Sequence, residues 1–98
     1  MKDTFVASFF YNGVLGGALY LKLDKVIYRT NKVTVDAKYR NLEMPYREIV
    51  DIQSGHSLFF PTVTIVLNGK ISYKFIVFAR KKFLDRIDEL KLRFVERI

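Results

Sequence analysis

The chain has 98 residues, enough for one domain with one core. It has no cysteine, which excludes a disulfide framework, a thiolate zinc site and a cysteine nucleophile, and suits a reducing compartment. Its formal charge of +7 favours contact with phosphates, on an anionic membrane or on nucleic acid, and half of its residues are hydrophobic, which excludes a disordered chain.

From the N-terminus, Thr4 to Leu21 carries no formal charge. That length reaches a membrane span. Asn12, Gly13, Gly16 and Gly17 interrupt it, however, and such residues break a helix and make turns. The expectation is a strand at Phe5–Tyr11, a glycine-rich turn at Asn12–Gly17, and a second strand. A phosphate loop is not expected at Asn12–Gly17, because a helix N-terminus must follow such a loop and here a strand follows.

In the second strand Leu19, Leu21 and Leu23 alternate with Ala18, Tyr20 and Lys22, the two-residue period of a half-buried strand. The three leucines are expected in the core. Lys22 to Lys25 reads as a polar corner, and Lys25 to Thr30, β-branched and aromatic, as the returning strand. Asn31 to Asn41 reads mainly as a basic loop, Leu42 to Tyr46 as a short strand, and Arg47-Glu48 as a turn. Pro45 needs an edge or a strand end, since it donates no ladder hydrogen bond. Ile49 to Gln53 reads as a strand and Ser54 to Ser57 as a loop. Leu58-Phe59-Phe60 leads through Pro61 into a strand at Thr62–Leu67. Asn68-Gly69 is a strong hairpin signal. In Lys70 to Phe78, Ile71, Tyr73, Phe75 and Val77 alternate with Ser72, Lys74, Ile76 and Phe78.

The period then changes. From Ala79 to Ile98, residues 83, 84, 87, 90, 94, 95 and 98 are apolar at the spacing of one helix face, with Leu92 off the stripe. One amphipathic helix of about five turns is expected, closing one opening of the sheet. The fold class is therefore mainly β with one helix (α+β), as a single domain over residues 1–98.

The order and the motifs resemble GRAM and bacterial pleckstrin-homology-like (PH-like) domains. Gly17-Ala18-Leu19-Tyr20-Leu21 followed by Val26-Ile27-Tyr28 resembles their G-x-L-Y-L…L-I-F hairpin. Met44-Pro45-Tyr46-Arg47-Glu48-Ile49-Val50-Asp51-Ile52 is similar to their I-P-L-x-D-I-x-x-V segment. Phe60-Pro61-Thr62-Val63, the Asn68-Gly69 turn and Phe75-Ile76-Val77-Phe78 before a basic helix are also similar. The likeness spans roughly Gly17 to Leu90. The corner Lys22-Leu23-Asp24 departs from it, as does Glu48 where Asp is usual. The resemblance implies a partial barrel of about seven antiparallel strands capped by one C-terminal helix. It also implies a binding module for lipids or proteins. No residue matches a dedicated phosphoinositide signature, so the resemblance assigns no ligand site.

The charge is uneven. Lys22, Lys25, Arg29, Lys32, Lys38 and Arg40 face only Asp24 and Asp36 between positions 22 and 40. These six are the candidate ligand-binding residues, for an anionic lipid headgroup or membrane surface. Phe59, Phe60 and Leu92 are candidates for contact with a protein partner or a second copy. Nucleic-acid binding, with Tyr20 and Tyr28 as stacking faces, is the third and least favoured partner class, because no nucleic-acid motif accompanies them. His56 is the only histidine, and no nucleophile elbow or HExxH spacing is present. Asp85, Asp88 and Glu89 read as solvated helix ion pairs beside Lys82 and Arg86. Neither catalysis nor a cofactor or metal is expected. The expected setting is cytoplasmic, peripheral to a membrane.

Overall fold

The computed structural model describes residues 3–10, 13–32 and 35–96. Tyr11 and Asn12, the expected strand end and turn start, lie outside these residues, as do Val33, Thr34 and the last expected helix residues, Arg97 and Ile98. The elements are β1 (Thr4–Phe10), β2 (Val14–Leu21), β3 (Lys25–Arg29), α1 (Ala37–Arg40), β4 (Asn41–Pro45), a 3-10 turn (Tyr46–Glu48), β5 (Ile49–Ser57), β6 (Phe60–Leu67), β7 (Ile71–Val77) and α2 (Arg80–Glu96). The strands form one sheet in the order β4-β3-β2-β1-β7-β6-β5, antiparallel throughout.

That order sets the shape. β4 and β5 follow one another in sequence yet stand at opposite edges of the sheet. Laid flat, seven strands would hold their outer members about 29 Å apart, at about 4.8 Å per spacing. The link from Pro45 to Ile49 spans at most about 15 Å, at 3.8 Å per residue step. The sheet must therefore curl until its edges approach. The 3-10 turn is tied to both halves. The Tyr46 amide donates to the Asp24 carbonyl at 3.0 Å, and the Asn68 amide donates to the Glu48 carbonyl at 2.9 Å. The buried Tyr46 hydroxyl donates to the Lys22 carbonyl at 2.6 Å. Pro45 ends an edge strand, as its missing donor requires.

Curling gives the sheet an inner face, which the period-two residues fill. Leu19, Leu21, Val26, Tyr28, Met44, Val63, Ile65, Phe75 and Val77 are buried there. Phe9 stacks on Phe75 at 5.2 Å and leans on Tyr28 at 5.4 Å between ring centroids. Helix α2 closes one opening with most of the expected stripe: Phe83, Ile87 and Leu90 are buried and Leu84 and Phe94 half-buried, whereas Val95 is exposed. Phe83 meets Phe5 edge-on at 5.4 Å, and Phe94 meets Tyr46 at 6.0 Å. Arg86 holds the helix to the start of β1 through Asp3, with Nε to Oδ1 at 2.6 Å and Nη2 to Oδ2 at 3.2 Å. The architecture is a PH-like partial barrel with a C-terminal helical cap.

Local details differ from the sequence reading. Gly16 and Gly17 lie inside β2, not in a turn. Gly17 is there because Tyr28 passes under it: a Cβ would sit 2.2 Å from the Arg29 carbonyl and 2.8 Å from the Tyr28 hydroxyl. Tyr28 then donates to the Leu15 carbonyl at 2.5 Å, and burial pushes its phenol up, so it stays a neutral donor. Leu23 is exposed, because β2 ends at Leu21 and the corner breaks the alternation. The basic loop contains the short helix α1. The β6–β7 turn has three residues, Asn68 to Lys70, with positive φ at Gly69 (79°) and Lys70 (64°) rather than at Asn68. β5 runs through Ser54–Ser57, so the turn falls at Leu58-Phe59.

Gly17→Ala is expected to destabilise the fold by about 1–3 kcal/mol, the range for forced overpacking. Gly16→Ala, whose Cβ would meet nothing within 4 Å, serves as the control. Urea unfolding checks this; equal midpoints for the two variants would refute it.

Candidate functional site

On β2 and β3 the residues not turned inward face outward: Ala18 and Tyr20 on β2, Lys25, Ile27 and Arg29 on β3. Tyr20 stands opposite Ile27 in the register and Ile27 is buried, so the two form a firm outward platform. Two cations approach the Tyr20 ring. Arg29 Cζ lies 5.4 Å from its centroid and Lys22 Nζ 5.9 Å, both within cation–π range.

A shallow groove opens on each side of this platform, and Tyr20 and Arg29 line both. The first, of about 560 Å³, is lined by Gly16, Gly17, Ala18, Tyr20, Arg29, Thr30, Asn31 and Lys32. Among the described residues its lining holds two cations and no carboxylate. Thr30 shapes its floor: its hydroxyl donates to the Gly16 carbonyl at 2.7 Å and accepts from the Lys32 amide at 3.3 Å. That bond sets where the Lys32 side chain leaves the chain. The second groove, of about 640 Å³, includes Asp3 beside Lys22, Leu21, Leu23 and Leu90. Its carboxylate makes it the poorer place for an anion.

The six candidate cations do not form one cluster. Lys22, Arg29 and Lys32 belong to the platform and its grooves. Lys25 is ion-paired to Glu43 at 2.9 Å on the outer face of β3 and β4. Arg29 Nε donates to Asn41 Oδ1 at 2.7 Å, and Asn41 donates on to Glu43 at 3.4 Å. Lys38 and Arg40 lie on α1, where Lys38 Nζ stands 4.8 Å from the Tyr39 ring centroid. On α2, Asp85 pairs with Lys81 at 3.1 Å and Glu89 with Arg86. No group of three or more His, Asp or Glu side chains with metal-site geometry occurs among the described residues.

The three apolar candidates separate too. Phe59 caps the β5–β6 hairpin and is 96% exposed, beside Leu58 at 86%. Phe60 packs edge-on against Phe78 at 5.8 Å, and Phe78 is itself exposed. Leu92 is exposed on α2, twelve positions from the helix start and about 18 Å along its axis. Sequence reasoning did not single out Leu58 or Phe78. The alternation in β7 already turned Phe78 outward; nothing local marked Leu58 as a turn residue.

No protein-family model matches the chain, and no curated protein matches it either. Among solved structures, the fold is similar to the crystal structure of the C-terminal domain of an unknown protein from Leishmania infantum. The two share a TM-score of 0.76 at 14% identity, over 92% of this chain and 82% of that one. At that identity the likeness concerns the fold. No helix among the described residues is long and apolar enough to cross a membrane.

The Lys25–Glu43 pair is expected to titrate with a definite sign. The hydrogen bond and charge of Lys25 hold the Glu43 carboxyl below its ordinary value, and Glu43 raises Lys25 in return. The carboxylate's contribution is therefore present above the ordinary glutamate range and lost as pH falls through its lowered folded value. That of Lys25 is lost only as pH rises through its raised value. Carboxyl NMR titration should give Glu43 a lower midpoint in the native chain than in Lys25→Gln. Coincident midpoints would refute the coupling.

Proposed function

We propose that the chain is a non-catalytic binding module of the GRAM or PH-like kind that docks on anionic phospholipid at the cytoplasmic face of a membrane. The observation that carries this reading is the first groove. It sets Arg29 and Lys32 beside the Thr30 and Asn31 polar groups with no carboxylate in the lining. A phosphate is dianionic or monoanionic and needs N–H donors and positive charge. A planar guanidinium and a flexible ammonium supply both. Lys22 adds charge across the Tyr20 platform.

The order of the motifs from Gly17 to Leu90 supports the family reading, because it coincides with the hairpin, link and helix that build the barrel. The net charge of +7 supports the anionic partner. Each cation near such a surface contributes about 1 kcal/mol, so three or four hold a small domain reversibly.

Co-sedimentation with vesicles tests the proposal. Binding to phosphatidylcholine–phosphatidylserine vesicles is expected, with little to phosphatidylcholine alone, and it should weaken as salt screens the charges. Arg29→Gln with Lys32→Gln should weaken binding on the order of 30-fold, from about 1 kcal/mol per cation. Lys32→Glu alone, at an exposed position, keeps the test clear of folding effects. Unchanged binding in both variants would overturn the assignment of this groove.

A further inference from the structure

We infer that the β5–β6 hairpin tip inserts into the anionic bilayer to which the module docks, with Leu58 and Phe59 entering the acyl-chain boundary. The inference rests on the docking reading above and names a second contact for it.

The tip is built against ordinary turn chemistry. Ser57 pairs with Phe60, so Leu58 and Phe59 form a two-residue turn. Leu58 has φ of 56°, a left-handed conformation that suits Gly or Asn and strains a branched side chain. The β6–β7 turn of the same sheet uses Asn68-Gly69-Lys70, all exposed and polar or small. At the β5–β6 turn the strained position carries leucine, and the next carries a phenylalanine that touches almost nothing in its own chain. Neither choice helps the isolated domain. Both help a chain whose tip is covered.

The surroundings say what covers it. Behind the tip, Phe60 and Phe78 form an outward aromatic pair. The register that sets Ala7 opposite Val77 places exposed Val6 next in the row, and Val6 stands opposite Ala18, itself opposite Arg29. The apolar row thus runs across the outer surface of the curled sheet from β6 to β3, four strands on. At the hairpin base, Arg80 donates to the Gly55 carbonyl at 2.5 Å, bringing the run Arg80-Lys81-Lys82 to the foot of the tip. A protruding apolar tip beside a basic helix start, in which Asp85 neutralises Lys81 but leaves Arg80 and Lys82, matches the layering of an anionic bilayer: acyl chains within, phosphates at the rim. A second copy fits less well. A two-fold contact through these tips would bring the two Arg80-Lys81-Lys82 runs together, like charge against like.

The chain contains no tryptophan, so Phe59→Trp gives a single reporter at the tip. With phosphatidylcholine–phosphatidylserine vesicles its emission should shift to the blue. Lipids brominated along their acyl chains should quench it. Phe59→Ser should weaken vesicle binding on the order of 100-fold, from the apolar surface left unburied. Its unfolding midpoint should stay unchanged, because Phe59 is already exposed. Sedimentation with the vesicles but no blue shift or quenching would overturn insertion and leave docking standing. No sedimentation with any vesicle would overturn both. A blue shift without lipid that grows with protein concentration would assign the tip to a second copy and overturn the inference.

Discussion

Three residues between β4 and β5 govern the molecule. Tyr46 to Glu48 must join strands that stand at opposite edges of a seven-stranded sheet. No flat sheet satisfies that link, so the sheet curls, and curling creates an enclosed inner face. Tyr46 then fastens the link on both sides of the gap. Its amide and hydroxyl reach the β2–β3 corner, while the neighbouring Glu48 carbonyl receives the β6–β7 turn. Burial raises the Tyr46 phenol, chiefly by desolvation, and keeps it a donor. Phe94 of α2 packs against the same ring, so the cap and the closure depend on one residue.

The same curl divides labour between the two faces. The inner face is committed to the aromatic and aliphatic core. The two grooves beside Tyr20 lie on the other side of β2 and β3, among residues turned outward. The charges on that face contribute little to stability, because exposed pairs such as Lys25–Glu43 and Lys81–Asp85 are solvated and screened. Arg86 is the exception: it is well sheltered and bonded to Asp3 across most of the chain length. The cations on the platform are thus not needed for folding in the way Arg86 is, and a phosphate can engage them without unmaking the barrel.

Much of the fold was legible in the sequence because periodicity reports which side is buried. The alternation of β2 and β7 and the three-and-four stripe of α2 named nearly every core residue they contain. What failed were places where two local signals conflict. Gly16 and Gly17 look like a turn, but Gly17 answers to the Arg29 carbonyl and the Tyr28 ring of the next strand, contacts no local pattern shows. Ser54 to Ser57 look like a loop, yet they continue β5, because polarity marks solvent exposure and an exposed edge strand can be polar; the turn falls instead on the apolar Leu58-Phe59. Of the candidate site, the cations were legible as a basic stretch. Their division into three at the platform and its grooves, an ion-paired Lys25 and an α1 pair was not, because Glu43 and Asn41 reach Lys25 and Arg29 only once β4 lies beside β3.

The two tight turns of the C-terminal half sharpen the point. They connect neighbouring strands of one sheet and solve the same geometric problem, reversing the chain with a left-handed residue. One does so with Gly69 and Lys70, the other with Leu58. Stability alone would favour the same chemistry in both. Both hairpins pair right up to their turns, at Ser57–Phe60 and at Leu67–Ile71, so an apolar turn is not what pairing requires. The difference must therefore be sought in what each turn meets outside its own chain. The β6–β7 turn lies at the closed side, where Asn68 joins the Glu48 carbonyl and completes the barrel. Among the described residues the β5–β6 turn shows no such partner at its apex, and it points its two largest apolar groups into solvent, above a basic helix start. A surface that water disfavours and that the fold does not demand is where a partner should be sought first.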